Sequence, residues 1–165
     1  MNAAILQKAG ATVRRRLSGH TPLGGIILGS GWSSLTRSFA RQATLPYRDI
    51  PGQGVPGLAG HAGVLSVVRY RNTSLLFFEG RRHWYEGDGW TSVLMPIALL
   101  KSLGAQFVFL TNAAGGIRPG LQPGDLMMID DHINAMGVNP LVGPHAPFWG
   151  QRFPDMTAIY DADLR

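Results

Sequence analysis

Two short apolar runs, each broken off by a cluster of small residues, constrain this chain more than any other feature. Residues 24–28 (GGIIL) end in Gly29-Ser30-Gly31, and Phe107–Leu110 (FVFL) ends in Thr111-Asn112-Ala113-Ala114-Gly115-Gly116. Runs of this length without polar alternation suit strands buried on both faces, and glycine marks the exit from each. Between them, Val64–Tyr70 and residues 73–78 are β-rich and separated by Arg71-Asn72, which predicts a hairpin. Helical spacing occurs in residues 2–18, where Ala3, Ile5, Leu6, Val13 and Leu17 are the apolar members. It occurs again in residues 90–103, where Pro96 is tolerable only early in the helix and Gly104 is a natural stop. A further apolar run, 126–129, leads into Asp130-Asp131-His132, and residues 155–165 are expected to begin a helix.

Strand, glycine turn and helix thus alternate, which predicts an α/β protein with a mostly parallel or mixed sheet. In such sheets ligands bind outside the strand ends, so the glycine turns are the place to look. The 165 residues, 45% apolar and 15% charged, suit one well-buried domain over 1–165. Residues 136–154 are the one long irregular stretch, and their aromatic content predicts a functional loop.

The formal charge of +5 allows an anionic partner. The one tight basic run is Arg14-Arg15-Arg16, read as the solvated face of the first helix, and nucleic-acid binding needs a broader stripe. Neither nucleic acid nor membrane is therefore an expected partner: no stretch approaches the ~20 apolar residues of a membrane span. The N-terminus lacks an apolar signal core, since Ile5-Leu6 is followed at once by Gln7-Lys8. With no cysteine, disulfides and thiolate metal sites are excluded, which fits a reducing cytoplasm.

Chemistry gathers at the glycine turns. In Gly29-Ser30-Gly31, backbone N–H groups can approach an anion and the serine adds a donor; residues 32–41 are expected to be helical and to add a favourable dipole. A plain tight turn fits this segment as well. The third glycine of a dinucleotide fingerprint and the Lys of a P-loop are missing. Residues 79–87 (EGRRHWYEG) say more. If they leave the preceding strand extended, Arg81, His83 and Tyr85 fall on one side and Arg82 and Trp84 on the other. A guanidinium fork beside an imidazole suits phosphate. Glu86 is near enough to orient His83 or restrain Arg81. His61, flanked by small residues in Gly60-His61-Ala62-Gly63, is either a turn residue or part of an anion-contacting loop. Residues 111–116 offer a second backbone cradle. No metal site is expected, since the histidines lack ligand spacing, and no Gly-x-Ser-x-Gly elbow is present.

These motifs resemble a known family. GSG at 29–31, GHAG at 60–63, EGRRHWYEG at 79–87, TNAAGG at 111–116, DHIN at 131–134, NPLVGP at 139–144 and RFPDM at 152–156 occur in the order and spacing of the trimeric, low-molecular-mass purine nucleoside phosphorylases. The likeness runs over essentially the whole chain, whereas methylthioadenosine phosphorylases differ at the two central motifs. It implies a central mixed β-sheet flanked by helices, a homotrimer in the cytoplasm, and a pentosyltransferase of purine salvage. The reaction implied is reversible phosphorolysis of purine (deoxy)nucleosides, with inorganic phosphate as co-substrate and no cofactor or metal. Ser30, His61, Arg81, His83 and the Ala113 amide would bind phosphate, with His83 and Glu86 as the catalytic pair. Tyr85, Ala114 and Trp149 would meet the nucleoside, Trp149 from across a trimer interface. The family pattern continues beyond Arg165, with a Glu and an Asn for the purine, a further Ser at the phosphate and a His near the sugar. A chain without that part is expected to be less stable and inclined to associate, and its preferred purine is not encoded here.

Overall fold

The computed structural model describes residues 1–17, 21–57 and 62–165, and the chain divides into two compact units, Met1–Ala113 and Ala114–Arg165. The first holds every regular helix and strand described. Helix α1 (Ala3–Arg14) starts where the Asn2 side chain accepts a hydrogen bond from the Ala4 N–H at 2.8 Å. It buries Leu6, Ala9 and Val13, and Arg14 donates to the Ser102 carbonyl at 2.6 Å. Regular helix thus ends earlier than residue 18, although a further turn still buries Leu17.

Five strands, β1 (Pro22–Leu28), β2 (Ala40–Pro46), β3 (Val64–Tyr70), β4 (Thr73–Glu79) and β5 (Phe107–Leu110), form one sheet in the order β2-β3-β4-β1-β5. β1 is parallel to β4 and β5, whereas β2, β3 and β4 form an antiparallel meander, so the sheet is mixed. Helix α2 (Trp90–Ser102) covers β1 at Gly25, where an added Cβ would lie 2.5 Å from the Leu100 side chain; only glycine admits so close a helix. On the opposite face Val68, Leu75 and Phe77 pack with Ile26 and Phe39, the two Phe rings meeting edge to face at 5.0 Å. Pro96 lies inside α2 rather than early in it. The buried Met95, Ala98 and Leu99 around it outweigh a hydrogen bond that proline cannot make.

The helix expected over 32–41 is not formed. Ser33–Ser38 is a 3-10 segment in which the Thr36 hydroxyl donates to the Ser33 carbonyl, and β2 begins at Ala40. Ser and Thr bond their own backbone in this way and compete with the α-helix. No α-helical dipole therefore follows the Ser30 turn.

The second unit is irregular apart from a 3-10 turn at Pro147–Trp149. The run 126–129 pairs with no strand among the described residues, and Leu126, Met127 and Met128 are exposed. Residues 155–165 form bends and turns rather than the expected helix. Ile159 and Leu164 are exposed, and a short helix without a docked apolar face lacks the packing that offsets nucleation. Among the described residues no helix is long and apolar enough to cross a membrane.

Candidate functional site

Because β4, β1 and β5 are parallel neighbours, their C-terminal ends emerge at one edge of the sheet. Leu28 stands opposite Glu79 and Ile27 opposite Leu110, so the segments beginning at Gly29, Gly80 and Thr111 start in one row. Val64, the first residue of antiparallel β3, stands opposite Glu79, which brings Gly63 to the same edge. His61 lies outside the described residues.

Ser30 is exposed in a turn closed by the Trp32 N–H on the Gly29 carbonyl at 3.3 Å, with Gly31 at φ +86°, a conformation that favours glycine. Arg81 reaches from the end of β4 to donate through Nη1 to the Thr111 carbonyl at 2.8 Å. That bond links the Arg81 segment to the strand end carrying Ala113. Burial lowers the Arg81 pKa, and the neighbouring Tyr85 opposes that effect. Arg81 Nε faces His83 Nε2 at 3.5 Å, and the His83 ring stacks on Tyr85 with centroids 5.0 Å apart.

The alternation expected over 81–85 holds through His83, after which Trp84–Glu86 coils into a 3-10 turn. Arg81, His83 and Tyr85 nevertheless stay together. Arg82 turns away to the Val55 carbonyl, Glu86 and Asp88, and Trp84 stacks on Trp90 at 4.1 Å.

Glu86 orients His83. Its Oε1 accepts from the His83 backbone N–H at 2.7 Å and lies 3.0 Å from His83 Nδ1; its Oε2 accepts from the Gly57 N–H at 3.0 Å and pairs with Arg82 at 2.9 Å. His83 Nδ1 thus faces the Glu86 carboxylate and Nε2 faces Arg81. Burial by itself raises the Glu86 pKa. The Gly57 and His83 N–H donors, the His83 ring and the Arg82 charge outweigh it and hold the value at about 2.

Two supports carry no signal in the sequence. Tyr47, 1% exposed, donates its hydroxyl to the Gly80 carbonyl at 2.7 Å while its backbone N–H bonds the Gly63 carbonyl at 2.8 Å. It thereby pins both chain segments that flank β4's end, and burial, reinforced by Glu79, raises its pKa. Glu79 is held by the Ser66 hydroxyl and by Arg41 at 3.0 Å. These contacts span 13 to 38 residues and follow no local pattern.

The parallel strand ends thus present an Arg/His pair beside two small-residue turns, and comparison with known proteins gives the family. Residues 25–165 match the family model described as the phosphorylase superfamily. The chain belongs to this superfamily. Purine nucleoside phosphorylase 1 of Bacillus subtilis is 42% identical over 96% of this chain and 58% of its own length. The enzyme of the same name from Geobacillus stearothermophilus is 39% identical over 100% of this chain and 60% of its own. The crystal structure of Schistosoma mansoni purine nucleoside phosphorylase in complex with acetate superimposes with a TM-score of 0.85. It is 34% identical and covers 99% of this chain and 61% of that one. The fold is therefore that of the purine nucleoside phosphorylases, over 58% and 60% of the length of the two bacterial relatives.

In this phosphorylase-superfamily chain, Ser30, Arg81, His83, Tyr85, Glu86 and Ala113 all belong to the first unit. Ala114 and Trp149 belong to the second. There Trp149 closes the Pro147–Trp149 turn against Phe148, with ring centroids 4.3 Å apart. His145 Nε2 lies 2.9 Å from the Gly150 carbonyl and staples that turn.

Proposed function

We propose that this chain carries the phosphate-binding part of a purine nucleoside phosphorylase, which reversibly converts a purine (deoxy)nucleoside and inorganic phosphate into free base and (deoxy)ribose 1-phosphate. The observation that carries this reading is the row of three parallel strand ends, where Arg81 bonds the Thr111 carbonyl beside His83. The names of the relatives supply the reaction.

In this reading Ser30, His61, Arg81, His83 and the Ala113 N–H hold phosphate. Tyr85 and Ala114 meet the nucleoside. Trp149 covers a neighbour's sugar pocket in a cytoplasmic homotrimer. Phosphate sits against the anomeric carbon. As the glycosidic C–N bond breaks, its electron pair leaves with the purine and positive charge grows on the sugar, which the phosphate stabilises. A phosphate oxygen then bonds the anomeric carbon. Arg81 and His83 act by placing that anion, so catalysis is positioning and electrostatics, with no metal or organic cofactor required. Glu86 serves as a positioning residue by fixing His83.

A second reading is a phosphate- or nucleoside-binding module without turnover, which the same row of strand ends with Arg81 and His83 would serve equally well. Base release from inosine, guanosine, xanthosine and adenosine with and without phosphate separates the two. Hypoxanthine released from inosine only when phosphate is present supports the phosphorylase. Phosphate binding without release supports the module, and neither binding nor release overturns both.

A further inference from the structure

We propose that Thr111 is a positioning residue of the phosphate site, its hydroxyl and carbonyl together fixing the Ser30 turn, the Arg81 guanidinium and the Ala113 segment in one register. The inference rests on the phosphate-binding reading above. Thr111 is 4% exposed. Its Oγ1 accepts from the Gly29 N–H at 2.9 Å and donates to the Ile27 carbonyl at 3.2 Å, which the Thr111 N–H also meets at 3.1 Å. Its own carbonyl takes the Arg81 Nη1 bond at 2.8 Å. A single residue thus joins the ends of β1 and β5 to the side chain leaving β4.

Packing alone does not call for a hydroxyl here. Valine has nearly the same shape and suits a strand end as well as threonine does, and a buried polar atom is tolerated only when bonded. The hydroxyl meets that condition by reaching across to the turn that carries Ser30. The approach is close: a Cβ on Gly29 would lie 2.5 Å from the Thr111 carbonyl oxygen and 3.0 Å from Asn112 Cα. Backbone pressed to backbone at this point sets the spacing of the two turns. The side chain locks it against sliding. If Oγ1 is removed, the Gly29 N–H loses its partner, the turn shifts, and the carbonyl that holds Arg81 shifts with it.

The test is titration calorimetry of the full 165-residue chain with inorganic phosphate, beside thermal unfolding of each variant. Thr111→Val should weaken phosphate binding at least ~10-fold, the change that about 1.4 kcal/mol represents. Thr111→Ser, which returns the hydroxyl, should restore affinity to within about twofold by the same conversion. Thr111→Ala compared with Thr111→Ser repeats the hydroxyl contrast should the valine variant fail to fold. Val13→Ala, in buried α1, should lower Tm and leave phosphate affinity in place, which separates positioning from general loss of stability. A Thr111→Val variant that binds phosphate as tightly as the parent overturns the inference alone. A parent chain that does not bind phosphate overturns it together with the reading on which it rests.

Discussion

Replacing Glu86 with glutamine tests how the Arg81–His83 pair is held. The carboxylate serves four donors: the His83 and Gly57 N–H groups, His83 Nδ1 and Arg82 Nη1. Its side chain is 9% exposed and that of Arg82 10%. Glutamine keeps one acceptor oxygen and turns an NH₂ toward donors on the other side. Hydrogen bonds to a charged group contribute about 1.5–3 kcal/mol each, so losing one side costs about 2–3 kcal/mol. In a unit of this size that lowers Tm by roughly 10 °C. Urea unfolding of Glu86→Gln against the parent at pH 7 reads the loss as a shifted midpoint at constant slope. The pH dependence has a fixed sign. A folded pKa of about 2 against an ordinary 4.5 means that the carboxylate's contribution is complete above pH 4.5 and lost as pH falls through about 2. Glutamine does not titrate, so the gap between the proteins should narrow from pH 4.5 to pH 3. Coincident midpoints at pH 7, or a gap that stays constant at pH 3, refute the reasoning.

Three further outcomes follow from the packing. Tyr47→Phe should cost about 1–2 kcal/mol in urea unfolding, because it leaves the buried Gly80 carbonyl without its 2.7 Å partner; no loss would mean that another donor satisfies it. Gly29→Ala should destabilise by about 2–3 kcal/mol, since its Cβ meets backbone at 2.5 Å, whereas Gly31→Ala, with open space but φ +86°, should cost about 1–2 kcal/mol. Reversal of that order by thermal unfolding would contradict the close approach of the two turns. Edge strand β5 exposes Val108, Phe109 and Leu110 by 40, 49 and 51%, so sedimentation should show association that rises with concentration and falls in Phe109→Lys. A monomer at all concentrations, with one sharp reversible transition, would count against it.

The strands were legible where the sequence is continuously apolar. β1, β3, β4 and β5 lie where their residues point. β1, β3 and β4 are largely buried, as apolar runs without polar alternation imply, whereas β5 stands at the edge of the sheet with Val108, Phe109 and Leu110 exposed rather than buried on both faces. β2 was missed: ARQATLP is mostly exposed and polar, and pairing with β3 rather than its own composition makes it a strand. The run 126–129 errs in the opposite direction, since apolar residues become a strand only beside a partner. At the site, residues 79–87 placed Arg81, His83 and Tyr85 correctly on one side, and the open choice for Glu86 resolves to His83. The supports at Tyr47 and Thr111 were not legible. Each is one ordinary residue whose meaning comes from contacts 33 and 82 positions away.

The central claim is that Arg81 anchors phosphate, and calorimetric titration of inorganic phosphate into the parent chain and Arg81→Ala tests it most directly. The account predicts binding by the parent and affinity lower by roughly 10- to 150-fold in the variant, the equivalent of one charged hydrogen bond, with Tm changed by only a few degrees. Equal affinity in the two proteins would remove Arg81 from the site and contradict the account.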